Sequence, residues 1–163
     1  QPPRRRTQNV IDGPMLARAW GILGGTSAVL VTGVFLWTLL EGGWTPGADV
    51  SIGPLHDLWR QATTMTFLGI VACQVGTAIA ARTQIASLRD VGLRTNPMLL
   101  WGIGFEIAFS ALVVTVPAFQ RVFGTAVPSS WMLAALLPLP VVTWGVDELV
   151  RAARRRRHVR QAE

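Results

Sequence analysis

The hydrophobic and polar positions of this chain form long uncharged runs that are separated by short charged connections. Four of the runs are apolar over about the 20 residues that a helix needs to cross a bilayer. They predict transmembrane helices at 19–40, 61–81, 97–117 and 130–148. We expect the fourth helix to begin near Trp131, after the turn-forming Val-Pro-Ser-Ser. The pattern predicts an all-α polytopic membrane protein, a bundle of four transmembrane helices.

The charges in the connections predict the orientation of these helices. Arginines cluster in the arm 1–18, the connection 82–94 and the tail 149–163. The connection 41–58 carries acids and no base, and 118–130 carries only one arginine. Basic segments flanking transmembrane helices stay on the cytoplasmic side. We therefore expect both termini in the cytoplasm, as a basic arm and a basic tail.

Composition agrees with a membrane protein and argues against a nucleic-acid partner. Half of the 163 residues are hydrophobic, only 15% are charged, and the mean hydropathy is +0.40. All fifteen basic residues are arginine, and most of them flank the apolar runs, which is typical of membrane orientation rather than phosphate binding. We expect a single membrane domain over 1–163, in contact with lipid, in the plasma membrane of a bacterium.

Metal and disulfide chemistry find little support in the residue types. Cys73 is the only cysteine, so no disulfide and no cysteine-based cluster can form within one chain. His56 and His158 are far apart in the sequence. No metal site is predicted with certainty.

Small residues and prolines mark two of the predicted helices. Glycine, alanine and other small residues recur along one face of each of the first two helices, and such faces let helices approach closely in lipid. The residues concerned are Gly21, Gly25, Ala28, Thr32, Gly69, Cys73, Gly76 and Ala80. Packing between neighbouring helices is the leading interpretation, and a homodimer through Gly21 and Gly25 is the alternative. Pro138 and Pro140 predict a kink in the fourth helix.

The third predicted helix carries one ionisable residue, Glu106, near its middle. Gly102 and Ser110 share its face at four-residue spacing. A charged carboxylate at the bilayer centre is costly unless it is paired or protonated, so function is the default hypothesis. Glu106 is predicted to contact a transported cation or to relay a proton. The alternative is a protonated structural residue that hydrogen-bonds to Gln74 or to a carbonyl group.

Gln74 lies just past the middle of the second helix, and Thr77 shares its stripe. If the second and third helices are antiparallel neighbours, these side chains could meet Glu106. We therefore predict Glu106, Gln74 and Thr77 as possible ion-binding or proton-relay residues, with interhelical hydrogen bonding as the alternative for Gln74. Asp147 and Glu148 precede Arg151 by one helical turn and predict salt bridges at a solvated cytoplasmic end.

The chain contains no recognisable catalytic motif. It has no Gly-x-x-x-x-Gly-Lys loop, no His/Glu metal motif and no Gly-x-Ser-x-Gly elbow, so no catalytic residue is predicted. Because it begins with Gln rather than Met, we expect either a processed start or a piece of a longer chain.

Most of residues 60–157 resemble the C-terminal membrane region of P-type cation-transporting ATPases, of the calcium or sodium/potassium pump type. The resemblance rests on four motifs in matching order and spacing. They are the Gln…Ala-Arg-Thr ending of the second helix, a Pro-x-x-Gln-x-x-Phe-Gly-Thr connection, a Trp opening the last helix and a closing Asp-Glu-Leu-x-Arg.

This resemblance implies a support bundle beside the core helices of a pump. Gln74 falls where calcium pumps place a ligand Glu, which implies a weaker or differently charged site here. Glu106 falls where sodium/potassium-type pumps also carry an acid, and Thr77 where that type has an Asp, so a full third sodium site is in doubt. The phosphorylation, actuator and nucleotide motifs are absent. ATP and Mg²⁺ are therefore implied for a parent pump and not for this chain.

Three functions remain open at this point. The leading hypothesis is the C-terminal support domain of an ATP-driven cation pump, with a monovalent or divalent cation and the rest of the pump as partners. A free-standing small proton- or cation-coupled transporter that uses Glu106 is the first alternative. A non-catalytic membrane assembly module is the second.

Overall fold

The computed structural model describes residues 13–81 and 96–160, and these residues form helices and connections without a β-strand. Four helices are long and apolar enough to cross a membrane, which confirms the all-α fold class. We call them spans 1 to 4: Ala17–Glu41, Pro54–Ala81, Pro97–Thr115 and Ser130–Ala153. The basic arm up to residue 12, the connection 82–95 and the tail from residue 161 lie outside the described residues.

Span 1 is one continuous helix with two hydrogen-bonding patterns. A short helix α1 (Gly13–Leu16) leads into a π-helical stretch, Ala17–Gly24, and then into α2 (Gly25–Glu41). The N–H of Gly25 donates to the carbonyl of Trp20, five residues back. Such i→i+5 bonding is rare and usually confined to a single turn.

A left-handed glycine ends span 1. Gly43 has φ of 87°, a conformation that favours glycine. Its N–H donates to the carbonyl of Leu40 at 3.1 Å, and the N–H of Trp44 donates to that of Leu39 at 3.0 Å. This is the paired bonding of a Schellman motif, and it satisfies carbonyls that the helix end would otherwise leave free.

Proline sets the ends of spans 2 and 3. Helix α3 (Pro54–Ala81) begins before the predicted residue 61, and α4 (Pro97–Thr115) begins at Pro97, with the Asn96 side chain capping the N–H of Leu99. Span 3 stops at Thr115 because Pro117 cannot continue its bonding and instead starts a short helix α5 (Pro117–Phe123).

The predicted kink in span 4 is a full interruption of the helix. Helix α6 (Ser130–Ala134) and helix α7 (Leu139–Arg160) are separated by a turn over 135–138. The N–H groups of Ala135, Leu136 and Leu137 each bond to a carbonyl three residues back. Neither Pro138 nor Pro140 has an N–H to donate, so the regular i→i+4 pattern cannot run through this segment.

Spans 1, 2 and 4 enclose the core, and span 3 packs against span 2 from the side. The buried cluster takes two residues from each of the three spans: Val31, Val34, Met65, Cys73, Met132 and Leu139. Only 17% of the apolar window of span 3 is buried, so most of its surface is available to lipid. The bundle therefore has a tight three-helix centre and one peripheral helix.

The two small-residue faces behave differently. On span 2 the predicted stripe is buried, and a Cβ placed on Gly76 would lie 2.5 Å from the carbonyl oxygen of Pro140 in span 4. On span 1 the predicted stripe does not pack within this bundle, because Gly21, Ala28 and Thr32 are exposed. Span 1 instead packs through larger residues: Leu23, Val31, Val34, Thr38 and Leu39. Larger side chains bury more apolar contact area against span 2.

The ends of the bundle have different neighbours. At one end, which we call the basic end, the start of span 1, the end of span 2 and the end of span 4 touch each other through Arg18, Ala80 and Asp147. At the other, the loop end, the connection 116–129 lies on the start of span 2. The arm and the tail thus join the bundle at the same end.

Candidate functional site

Gln74 and Thr77 lie on the wall of a groove between spans 1 and 2. The groove has a volume of about 260 Å³ and a mostly apolar lining, which also includes side chains with hydroxyl and amide groups. Ser27 and Thr32 contribute from span 1, opposite the two residues of span 2. Gln74 is exposed while the preceding Cys73 is buried, so the amide side chain lies at the open edge of the groove.

The polar side chains in this groove carry neutral oxygen donors. Amide and hydroxyl oxygens can coordinate a hard cation or bond to a neighbouring helix, but they supply no negative charge. Carboxylates are the usual source of charge in calcium sites. No Asp or Glu is among the described residues that line this groove, so a carboxylate beside it would have to come from outside the described residues.

Glu106 lies elsewhere, half-buried on span 3. Its backbone carbonyl accepts a hydrogen bond from the Ser110 hydroxyl at 2.7 Å, and it is not among the residues that line the groove of Gln74. Span 2 turns a different, apolar side toward span 3, through Leu68, Val71 and Val75. The predicted meeting of Glu106 with Gln74 is therefore not found, because the two side chains lie on different sides of span 2.

A buried cluster of charges ties three spans together at the basic end. Asp147 of span 4 is fully buried, and its two carboxylate oxygens accept from Arg18 of span 1, from Nε at 2.6 Å and from Nη2 at 2.7 Å. The same Nη2 donates to the carbonyl of Ala80 in span 2 at 3.0 Å. Arg151 places its Nε 2.9 Å from Asp147 and donates from Nη2 to Glu148 at 2.7 Å.

These contacts explain how a carboxylate can be buried here. Two arginines and two acids balance in charge, and removing one partner of a buried ion pair typically costs about 3–5 kcal/mol. The expected salt bridges of Asp147 and Glu148 with Arg151 are present. The expectation of a solvated end was wrong for Asp147, because Arg18 covers its outer side.

Arg18 was the residue that sequence reasoning missed as a partner of Asp147. The sequence places Arg18 among the positive charges of the arm, 129 positions before Asp147 in the chain. The available signal was the closing Asp-Glu-Leu-x-Arg motif, since Asp147 and Arg151 stand one turn apart on a helix whose preceding residues are apolar.

The Pro-x-x-Gln-x-x-Phe-Gly-Thr connection caps the end of span 3 with its own side chains. Pro117 cannot donate to the carbonyl of Val113, and the Thr125 hydroxyl donates to that carbonyl instead, at 3.0 Å. Gln120 donates from its amide to the carbonyl of Val114 at 2.6 Å. The motif therefore breaks the helix and satisfies the carbonyls that the break leaves free.

Span 2 holds the same connection in place. Arg60 donates from Nη2 to the carbonyl of Thr125 at 2.6 Å, and the Thr64 hydroxyl accepts from the N–H of Ala126 at 2.9 Å. Gly124 adopts a left-handed φ of 65°, which turns the chain toward span 2. Arg60 thus has a structural role at the loop end.

Across residues 13–81 and 96–160, no group of three or more His, Cys, Asp or Glu could hold a metal ion.

Comparison with known proteins agrees with this architecture. The family described as "Cation transporting ATPase, C-terminus" matches residues 1–153. The chain therefore belongs to this family and is a C-terminal membrane region of a P-type cation-transporting ATPase. It is an integral, multi-pass membrane segment.

Curated relatives give the family a more particular setting. Calcium-transporting ATPase 1 of Schizosaccharomyces pombe is 30% identical over 158 residues, which are 96% of this chain and 16% of that protein. Calcium-transporting ATPase 1 of Saccharomyces cerevisiae is 26% identical over 152 residues, 91% of this chain and 14% of that protein. Calcium-transporting ATPase type 2C member 1 of Homo sapiens is 31% identical over 114 residues, 64% of this chain and 12% of that protein. The chain thus spans a small part of each relative's length.

Proposed function

We propose that this chain is the membrane support domain of an ATP-driven pump that transports calcium. The family and the names of the relatives support the pump. The amide and hydroxyl groups of Gln74 and Thr77 in the groove between spans 1 and 2 are the observation that supports a part in cation handling. ATP and Mg²⁺ are used by the rest of the protein, because the present chain carries no phosphorylation or nucleotide motif.

The groove serves as an incomplete, auxiliary set of ligands. Its hydroxyl and amide oxygens suit a hard cation, but calcium sites draw much of their affinity from carboxylates. The core helices of the pump supply that charge and close the open side of the groove. Gln in place of a ligand Glu gives a site of lower affinity.

Gln74 can be tested in the full-length protein by measuring how ATPase activity depends on calcium concentration. Gln74→Leu removes the amide oxygen and lowers the apparent affinity by about tenfold, or about 1.4 kcal/mol. Gln74→Glu adds a carboxylate and raises it. Gln61→Leu, on the same helix near the loop end, is the matched control and leaves the affinity unchanged. An unaltered calcium dependence in both Gln74 variants would remove the groove from the ion path.

Glu106 acts apart from the groove, as a protonatable group of span 3. Its half-buried position at the middle of an otherwise apolar helix supports this role. Glu106→Gln keeps the shape and replaces the carboxyl group by an amide that cannot relay a proton, so it changes the pH dependence of ATPase activity in the full-length protein. The structural alternative gives the opposite result, an unchanged pH dependence with lowered thermal stability.

Both termini face the cytoplasm, and the protein belongs to the cytoplasmic membrane of a bacterium. The arginine-rich arm, connection and tail support the orientation.

The reading frame upstream of Gln1 separates the pump from the two alternatives. An Asp-Lys-Thr-Gly motif in frame several hundred codons earlier agrees with the pump. A start codon directly upstream of Gln1 contradicts it and favours a free-standing transporter or an assembly module.

A further inference from the structure

Two unusual features meet at the basic end of the bundle. One is the π-helical stretch Ala17–Gly24 at the start of span 1, and the other is the fully buried carboxylate of Asp147 in span 4. Arg18 belongs to the first feature and binds the second. This shared residue makes the helix register and the ion pair depend on each other.

The π-helical stretch needs an external reason to persist. Its bonding is wider than that of an α-helix and is rarely sustained over eight residues. A Cβ placed on Gly24 would lie 3.3 Å from the carbonyl oxygen of Ala19, a tight contact between residues five apart. Glycine at this position therefore suits the wider winding.

The ion pair provides that reason. Arg18 is the second residue of the π-helical stretch, and its guanidinium contacts both Asp147 oxygens and the carbonyl of Ala80. If the stretch wound to i→i+4 bonding, the residues at its start would turn about the helix axis. Arg18 would then leave the position from which it reaches two other spans, and Asp147 would lose its span 1 partner.

We propose that the Arg18–Asp147 ion pair holds the start of span 1 in π-helical register, and that breaking this pair lets the segment wind to the α-helical register. The register is a two-state element that couples the start of span 1 to the end of span 4. A change of register at the start of span 1 changes the charge contacts of span 4, and loss of those contacts turns the start of span 1 about the helix axis. This inference does not depend on the transported ion.

Pulsed electron paramagnetic resonance on the full chain in lipid nanodiscs tests the proposal. Spin labels at Leu16→Cys and Ala81→Cys, in a Cys73→Ala background, measure the position of the start of span 1 against span 2. A second pair, at Ile70→Cys and Phe105→Cys, measures whether spans 2 and 3 keep their arrangement.

Two variants break the ion pair, one at each of its two residues. Asp147→Asn removes the charge that Arg18 binds, and Arg18→Gln removes the guanidinium that binds Asp147. Both shift the Leu16–Ala81 distance in the same direction, by about 5 Å, which is half the diameter of a helix with its side chains. The reference distance between spans 2 and 3 stays the same.

Three control variants make similar substitutions that leave the Arg18–Asp147 ion pair intact. Asp147→Glu keeps the charge, Glu148→Gln neutralises the adjacent acid, and Gly21→Ala adds a methyl where nothing lies within 4 Å. All three keep the original distance. An unchanged distance in both Asp147→Asn and Arg18→Gln, or an equal shift in Glu148→Gln, overturns the proposal. If Asp147→Asn fails to fold, the contrast between Arg18→Gln and Glu148→Gln decides it.

Discussion

At the scale of single residues, the surroundings of a side chain decide its role more than its type does. Asp57 and Asp147 both lie one turn from an arginine, yet the side chain of Asp57 is 73% exposed and that of Asp147 is fully buried. An exposed pair contributes at most about 1 kcal/mol, whereas a buried one is strongly destabilised when a partner is lost. The buried aspartate is thus the one that organises the bundle.

Thr125 gives a prediction at this scale. Thr125→Val keeps the shape but leaves the carbonyl of Val113 without its hydroxyl donor, which should cost about 1–3 kcal/mol. We expect a lower unfolding temperature in a thermal shift assay of the detergent-solubilised chain.

Thr115→Val is the matched control for this prediction. The Thr115 hydroxyl bonds within its own helix, to Ala111, and lies on an exposed surface. A loss of stability in Thr115→Val as large as in Thr125→Val would mean that capping by Thr125 contributes nothing specific.

At the scale of helices, span 2 is the central element of the bundle. It contacts spans 1, 3 and 4, and its small-residue stripe allows close approach on the side of span 4. Gly69 faces Val31 of span 1 and Leu139 of span 4, at distances of ordinary contact. Gly76 is the tighter of the two, since the backbone of Pro140 lies against it.

Substitution of Gly76 gives the corresponding prediction. In Gly76→Ala the new methyl would lie 2.5 Å from the carbonyl oxygen of Pro140, so the two backbones must move apart. Overpacking of this kind typically costs about 1–3 kcal/mol. Chemical denaturation in mixed micelles should show this loss.

Gly102→Ala is the comparison for this helix contact, because nothing lies within 4 Å of a Cβ at that position of span 3. It should be neutral or slightly stabilising, since alanine favours helices more than glycine does. Equal losses in the two variants would show that the close approach of spans 2 and 4 is unimportant.

At the scale of the whole molecule, the two ends of the bundle are closed by different chemistry. The basic end is held by buried ion pairs, and the loop end by hydrogen bonds from side chains to the backbone of the connection 116–129. Spans 1, 2 and 4 are locked at the basic end. Span 3 is held at the loop end, where Gln120 and Thr125 donate to its last carbonyls.

Membrane orientation gives the prediction for the whole molecule. In a Cys73→Ala background, a membrane-impermeant maleimide should label Thr45→Cys and Ala118→Cys in intact cells. Gln161→Cys should react only after lysis if the basic tail faces the cytoplasm, as the arginine clusters predict. The reverse pattern would invert the orientation, and labelling of all three from one side would contradict a four-span bundle.

The sequence determined the elements of this protein. Uncharged runs fix the number of spans, since each must satisfy its backbone inside the bilayer. Prolines fix the break in span 4 and the end of span 3, because a missing N–H acts locally. The motifs near Gln74 and Asp147 sufficed for the family. All of these are properties that neighbouring residues carry along the chain.

Only the tertiary structure decided which residues meet. Span 3 is apolar on every side, so its pattern holds little information about the direction of Glu106. Span 1 has one face of small residues and another of larger apolar residues. The larger side chains, rather than the small ones, are buried in the bundle. The pairing of Arg18 with Asp147 joins distant parts of the chain, and such contacts depend on how helices pack rather than on any local signal.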